Sequence, residues 1–252
     1  MRDILESLAN GELSVREAEA ALSGYATTES GRFDAARETR RGVPEAVLAD
    51  GKTPDEIADL AATALETTGR AIVTRLADET AATVRGRLVE ATPNADATFD
   101  DRAKVFVAHA PDFDPPQLDA TVCVVSAGTS DAQPVGEAAS IATEMGATVT
   151  RVTDVGVAAL TRIVDHVDEI READVAVVAA GREGALPTVV AGLVDTPVIG
   201  LPVSTGYGHG GEGEAALSGM LQSCTILSVV NVDAGFVAGA QAGLIARAVD
   251  GA

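Results

Sequence analysis

The chain has no tryptophan, two tyrosines and five phenylalanines in 252 residues. Its interior therefore cannot be built around large rings, and Ala, Val, Leu and Ile must fill it. Basic residues are scarce: 18 against 38 acidic ones, a net charge of −20, and among them only Lys52 and Lys104 are lysine. A chain of that balance has no basic face with which to neutralise phosphates, which argues against nucleic-acid binding. Cysteine is limited to Cys123 and Cys224, far apart and in no C-x-x-C pair, so neither a zinc ribbon nor a disulfide framework is indicated. No stretch reaches the roughly 18 uncharged apolar residues that a membrane helix needs. The opening Met1-Arg-Asp-Ile-Leu-Glu6 carries acids where a signal peptide would be basic and then apolar. These absences predict a soluble cytoplasmic protein.

What is present is 46% apolar content, enough for a substantial core in one large domain or two small ones. The acidic residues spread through helical segments as a solvated coat rather than a single tail. That coat, with little lysine and much Ala, Val and Thr, resembles the proteins of salt-loving organisms.

Residues 1–115 have one texture. Ile4, Leu5 and Leu8, then Val15, Ala18 and Leu22, have helical spacing, and Ser14 with Glu17 forms the S-x-x-E box that starts a second helix. Thr27–Gly31 reads as a linker. Thr53-Pro54-Asp55-Glu56 starts a helix that ends at Gly69, and Ala71–Thr74 reads as a strand. A helix over Asp78–Leu88 and a strand over Val105–Ala108 complete a small α/β region, and the prolines of Ala110–Pro116 mark a linker.

Residues 116–252 have another. Five times an apolar, β-branched run breaks into a small polar cluster: Val122–Val125 into Ser126-Ala-Gly-Thr-Ser-Asp131, Val149–Val152 into Thr153-Asp-Val-Gly156, Val175–Val178 into Ala179-Ala-Gly-Arg-Glu-Gly184, Val198–Leu201 into Pro202-Val-Ser-Thr-Gly206, and Ile226–Val230 into Asn231-Val-Asp-Ala-Gly235. Short runs of this kind alternating with helical stretches predict buried parallel strands in a three-layer αβα domain with a mainly parallel sheet. Ligands bind such sheets beyond the carboxyl ends of the strands, where every cluster falls. Gly128 permits a sharp turn with Thr129, Ser130 and Asp131 at a helix start, suited to a phosphate or carboxylate. Gly181, Glu183 and Gly184 repeat the layout. Cys123 lies inside a strand as a small buried hydrophobe, whereas Cys224 ends a helical segment just before a strand, near backbone that could approach the crevice. His209 lies in the glycine-rich loop Gly206-Tyr-Gly-His-Gly-Gly211, where exposure is the simpler explanation; His109 and His166 carry no motif.

Ser126–Asp131, Asp154-Val-Gly-Val-Ala158, Glu183-Gly-Ala-Leu-Pro-Thr-Val-Val190, Pro197-Val-Ile-Gly-Leu-Pro202, Gly206-Tyr-Gly208 and Asn231-Val-Asp233 strongly resemble the PurE-like domain of the LarB family of nickel-pincer cofactor synthesis. Arg37-Glu-Thr-Arg-Arg-Gly-Val-Pro-Glu45, Gly51-Lys-Thr-Pro54 and Thr74-Arg75 resemble that family's N-terminal region. The resemblance implies a PurE-like, flavodoxin-type fold and a defined reaction. The pyridinium ring of nicotinic acid adenine dinucleotide is carboxylated with carbon dioxide or bicarbonate as co-substrate and its phosphoanhydride cleaved, giving pyridinium biscarboxylic acid mononucleotide and AMP. Carried onto this chain, Cys224 adds to the ring, Glu183 is the acid/base, and Asp131 with Ser130 holds the ribose-phosphate or incoming carboxylate. Ser126, Gly128, Thr129, Asp154, Arg162, Gly181, Gly184, Ser204, Gly206 and Asn231 complete the substrate-binding set. No covalently bound cofactor is implied, a magnesium ion is left open, and an octamer is implied, partly through a small-residue helix such as Gly235–Val249.

The chain departs from the family pattern at Thr161-Arg162, where His-Arg is usual, and at Arg182, Gln222 and Asp233-Ala-Gly235. The alternatives are an aminoimidazole ribonucleotide (AIR) carboxylase of purine synthesis, whose chemistry leans on the histidine missing at position 161, and a non-catalytic nucleotide-binding homologue.

Overall fold

The computed structural model describes residues 1–206 and 208–251. The chain divides into two compact units, Met1–Asp114 and Pro115–Ala252.

In the first unit α1 (Arg2–Ala9) is followed by α2 (Val15–Ser23). The Ser14 hydroxyl accepts from the Glu17 amide (3.1 Å) and the Ser14 amide donates to the Glu17 carboxylate (2.6 Å), as the sequence predicts. The segment expected as a linker is instead an antiparallel hairpin of β1 (Ala26–Thr28) and β2 (Gly31–Phe33), in which Ala26 pairs with Phe33. Burial of those two side chains anchors it, and the Ser30 amide donates to the Thr28 hydroxyl across its turn. Then come α3 (Arg37–Arg41), β3 (Val47–Leu48), α4 (Pro54–Thr68), β4 (Arg70–Thr74), α5 (Asp78–Ala91), β5 (Asp96–Asp100) and β6 (Val105–His109). The sheet order is β3-β4-β6-β5, with β3 parallel to β4 and the rest antiparallel. Ile57, Leu65, Leu88 and Phe106 fill its core.

The second unit contains β7 (Thr121–Ser126), α6 (Ala132–Glu144), β8 (Thr148–Val152), α7 (Leu160–Val164), α8 (Val167–Arg171), β9 (Val175–Ala180), α9 (Ala185–Ala191), β10 (Val198–Pro202), α10 (Glu214–Leu221), β11 (Ser228–Val229) and α11 (Gly235–Asp250). All five strands are parallel, in the order β11-β10-β9-β7-β8. Counted from β7, that is the flavodoxin-like order 2-1-3-4-5, whose switch point lies between the first and third strands, here β7 and β9. Alternate side chains face opposite layers, as strand geometry requires. Val122 and Val124 join Val135, Ala138 and Ala142 of α6 and Ala238, Ala242 and Ala246 of α11, whereas Cys123 and Val125 join Ile163, Ile170, Leu186, Val190 and Met220 on the other face.

The small residues of α11 serve packing within the chain. A methyl group on Gly239 would clash with the Ala138 carbonyl, and one on Gly243 would come within 2.6 Å of the Met145 sulfur. The two helices therefore approach almost backbone to backbone across one face of the sheet.

Candidate active site

A cleft of about 510 Å³ opens at the carboxyl ends of the strands. Its walls come from four of the five clusters: Ala127, Gly128, Ser130 and Asp131 after β7, Gly156 to Ala158 after β8, Ala180 to Glu183 after β9, and Thr205 with Gly206 after β10. Ala185 and Leu186 at the start of α9 close the floor. This is the switch-point position, and the volume suits a nucleotide-sized ligand.

Asp131 is its most constrained group. The side chain is buried, at 3% exposure, in a single 3-10 turn, Thr129–Asp131, that leads into α6. Its carboxylate accepts from the Thr205 hydroxyl (2.8 Å), the Gly128 amide (3.2 Å) and the Ser130 hydroxyl (3.3 Å). A buried carboxylate so supplied with donors is fixed in orientation, and its bond to Thr205 ties the turn after β7 to that after β10. Glu183, also in the lining, is exposed in the turn after β9, between Gly181 and the left-handed Gly184 that precedes α9 (φ 69°). A side chain at Gly184 would meet the Ala216 backbone, and one at Gly206 would lie 2.5 Å from the Arg182 amide. The turn after β9 can thus touch α10 and the turn after β10 only because these positions are glycine. Arg182 (φ 47°), beside Glu183, also lines the cleft.

The structure thus brings together Gly128, Ser130, Asp131, Gly181, Glu183 and Gly206 of the expected set. The others stand back from the cleft. Ser126 is buried at the end of β7, with its carbonyl accepting from the Val155 amide (3.3 Å), and Thr129 lies in the turn beside the lining residues. Asp154 (φ 60°) and Arg162 face one another, guanidinium to carboxylate at 3.0 Å, so Arg162 is directed at its own loop. Gly184 supports the α9–α10 contact, and the Ser204 amide donates to the Asp233 carboxylate (2.9 Å). Asn231 is exposed, its side-chain oxygen accepting from the Val232 amide. His209 is exposed and outside the lining, Tyr207 lies outside the described residues, and His109 stacks on Phe113 (4.9 Å) in the first unit.

Cys224 requires a correction of position. It is exposed, but its neighbour Thr225 rests on the middle of α9, donating to the Thr188 carbonyl (3.4 Å). Because β11 is parallel to β10, the residues that enter it lie toward the amino end of the sheet, away from the crevice the sequence suggested. Cys123 is buried as expected, and burial pushes its thiol pKa up. Among the described residues no group of three or more His, Cys, Asp or Glu is arranged to hold a metal ion, and no helix is long and apolar enough to cross a membrane.

Sequence reasoning missed Thr205 and Arg182 as lining residues. Both sat inside flagged clusters, and only the direction of each side chain, set by the turn, separates them from their neighbours.

The fold and cleft define a doubly wound α/β protein with a cleft at its switch point, lined by a buried and an exposed carboxylate. Residues 121–252 match AIR carboxylase, and residues 25–110 match the LarB/PurE-like N-terminal domain. An uncharacterized protein of Methanocaldococcus jannaschii is 36% identical over 253 residues, covering 98% of this chain and 97% of its own. The chain belongs to the AIR carboxylase family of enzymes, in the LarB form that joins these two domains.

Proposed function

We propose that the protein carboxylates the pyridinium ring of nicotinic acid adenine dinucleotide and hydrolyses its phosphoanhydride. The observation that carries this reading is a cleft lined by both Asp131 and Glu183, with no histidine among the described residues lining it. An AIR carboxylase would draw on the histidine that Thr161 replaces, and Thr161 itself is exposed on α7.

In the proposed sequence, the Cys224 thiolate adds to a ring carbon and the displaced π electrons settle on the ring nitrogen, cancelling its positive charge. The enamine carbon so formed attacks carbon dioxide. Glu183 takes the proton from that carbon, and the thiolate leaves as the aromatic pyridinium is restored. Covalent addition divides one difficult step into feasible ones, and the cationic ring favours the thiolate. Separately, water cleaves the phosphoanhydride to release AMP. Asp131 holds Ser130 and the Thr205 turn in place.

The reading is tested against AIR directly. The protein should neither carboxylate nor decarboxylate aminoimidazole ribonucleotides, and should not restore purine-independent growth to a cell lacking its PurE enzyme. Growth without purine would overturn the assignment in favour of the carboxylase of purine synthesis.

A further inference from the structure

We propose that Asp233, half-buried and outside the cleft lining, is a positioning residue: it fixes the turn after β10 so that the Thr205 hydroxyl meets Asp131. This assignment rests on the carboxylation reading above. β10 stays paired with β9 as far as the Val203 amide, which donates to the Ala180 carbonyl (3.0 Å). The next amide, Ser204, lies beyond the ladder, and the Asp233 carboxylate accepts from it (2.9 Å). One residue further on, the Thr205 hydroxyl donates to Asp131 (2.8 Å). Asp233 reaches the Ser204 amide because the chain leaving β11 carries an extra residue. The Val230 amide donates to the Gly200 carbonyl (3.1 Å), so a regular parallel ladder would next bring the Val232 amide to the Pro202 carbonyl. Instead the Val232 amide donates to the Asn231 side chain (2.9 Å), and Asp233, left-handed at φ 54°, supplies the donor to Pro202 (2.9 Å). A left-handed φ is unfavourable for a residue with a side chain, and such strain persists where the surroundings over-determine it. Here one residue grips the turn twice, at the end of β10 and at the second residue beyond it.

The frame behind Asp233 closes on Asp131. α11 begins two residues later, at Gly235, and lies against α6: a methyl group on Gly235 would clash with the Pro134 carbonyl and stand 2.7 Å from the carboxylate of buried Glu137. The turn that holds Asp131 leads into that same α6. Asp131 and Asp233 are thus carried by two packed helices, and Ser204 with Thr205 joins their carboxylates. A working group keeps its geometry only while its own supports hold it to within about 0.5 Å, and Asp233 supplies that support for Thr205. The competing account is that Asp233 merely steadies the start of α11.

The test is a cycle of Asp233→Gly, Thr205→Val and the double variant, assayed for carboxylation of nicotinic acid adenine dinucleotide. Glycine keeps the left-handed backbone and removes only the carboxylate. Asp233→Gly should lower kcat/KM about tenfold, mainly through kcat, and Asp233→Asn, which keeps an accepting oxygen and tolerates the same φ, should restore most of it. In the Thr205→Val background Asp233→Gly should change kcat/KM by less than about twofold, because the hydroxyl it positions is already gone. Losses that multiply to about a hundredfold, or wild-type turnover in Asp233→Gly, would overturn the proposal and leave the reaction standing. If circular dichroism shows Asp233→Gly unfolded, Asp233→Ser, too short to reach the Ser204 amide, takes its place in the cycle. Amide hydrogen exchange supplies a readout independent of turnover: the Ser204 amide should exchange about tenfold faster in Asp233→Gly while β7 exchanges as in the wild type. Should the wild-type protein yield no carboxylated product, the proposed reaction fails, and an unchanged exchange rate at Ser204 would then overturn the positioning role by itself.

Discussion

Glu183 and Asp131 are both carboxylates of the cleft, yet their surroundings give them different work. Asp131 is buried and holds three donors, whereas Glu183 is exposed at the end of β9 and positioned by two glycines. Glu183→Gln should therefore leave KM near its wild-type value and lower kcat by roughly a hundredfold or more, as expected when a proton carrier is neutralised without a change of shape. A change confined to KM would make Glu183 a binding residue. Thr205→Val removes the shortest donor to Asp131 and should lower kcat/KM by about tenfold, one hydrogen bond to a charged group being worth about 1.5–3 kcal/mol, with Thr205→Ser restoring most of it. Cys123→Ala provides the control for the cysteines: it leaves a small cavity in β7, costs no more than a few kcal/mol of stability, and keeps the chemistry. At this scale the sequence was informative where a residue's setting is distinctive. Glu183 between glycines and Asp131 at a helix start could be picked out, but Thr205 could not be told from Ser204, because the turn alone decides which of two adjacent hydroxyls faces Asp131.

Among elements, α4 shows most directly how a local signal sets both structure and pH response. Thr53 caps it, and the Glu56 carboxylate accepts from the Thr53 amide (2.7 Å) and hydroxyl (2.9 Å), which lowers the Glu56 pKa. A carboxylate depressed in the folded state contributes stability that is complete above its unfolded pKa and is lost as pH falls through the folded value. Thr53→Ala should cost about 1 kcal/mol at neutral pH and less in acid, where the wild-type interaction is lost too. Thermal melts at pH 7 and about pH 3 check this, given an ordinary Glu pKa near 4.3. Gly239→Ala should be more damaging than an exposed helix substitution, because its methyl group meets the Ala138 backbone and overpacking costs about 1–3 kcal/mol. The long helices and inner strands were legible from period, caps and apolar runs. Four strands were not: β1 and β2 form the hairpin that reads as a linker, β3 has only two residues, and β5 alternates exposed Asp96, Thr98 and Asp100 in a pattern that reads as a polar loop. Cys224 was misplaced for a related reason. It precedes the last of five parallel strands, so nearness to that strand in sequence places it toward the amino end, opposite to the polar clusters.

For the whole molecule the dominant quantity is a net charge of −20 with acidic residues spread over the surface. Self-repulsion on that scale destabilises the compact state and is reduced by screening. Raising KCl from about 0.1 M to about 1 M shortens the Debye length from about 10 Å to about 3 Å and should raise the melting temperature. A melting temperature that falls with salt would mean that the exposed ion pairs, such as Arg40–Asp34 and Arg87–Asp55, outweigh the repulsion. The parallel strands and the clustering of polar turns at one end of the sheet were readable from the five repeated apolar runs, whereas the order β11-β10-β9-β7-β8 was not, because spacing along the chain does not say which strands pair.

The central claim is the reaction, and mass spectrometry tests it most directly. The protein is incubated with nicotinic acid adenine dinucleotide and carbon-13 bicarbonate, and the products are weighed. The account predicts AMP together with a pyridinium mononucleotide bearing a second, labelled carboxylate, both absent with Cys224→Ser. Recovery of unchanged dinucleotide, or of AMP with an unlabelled mononucleotide, from correctly folded and assembled wild-type protein would contradict it.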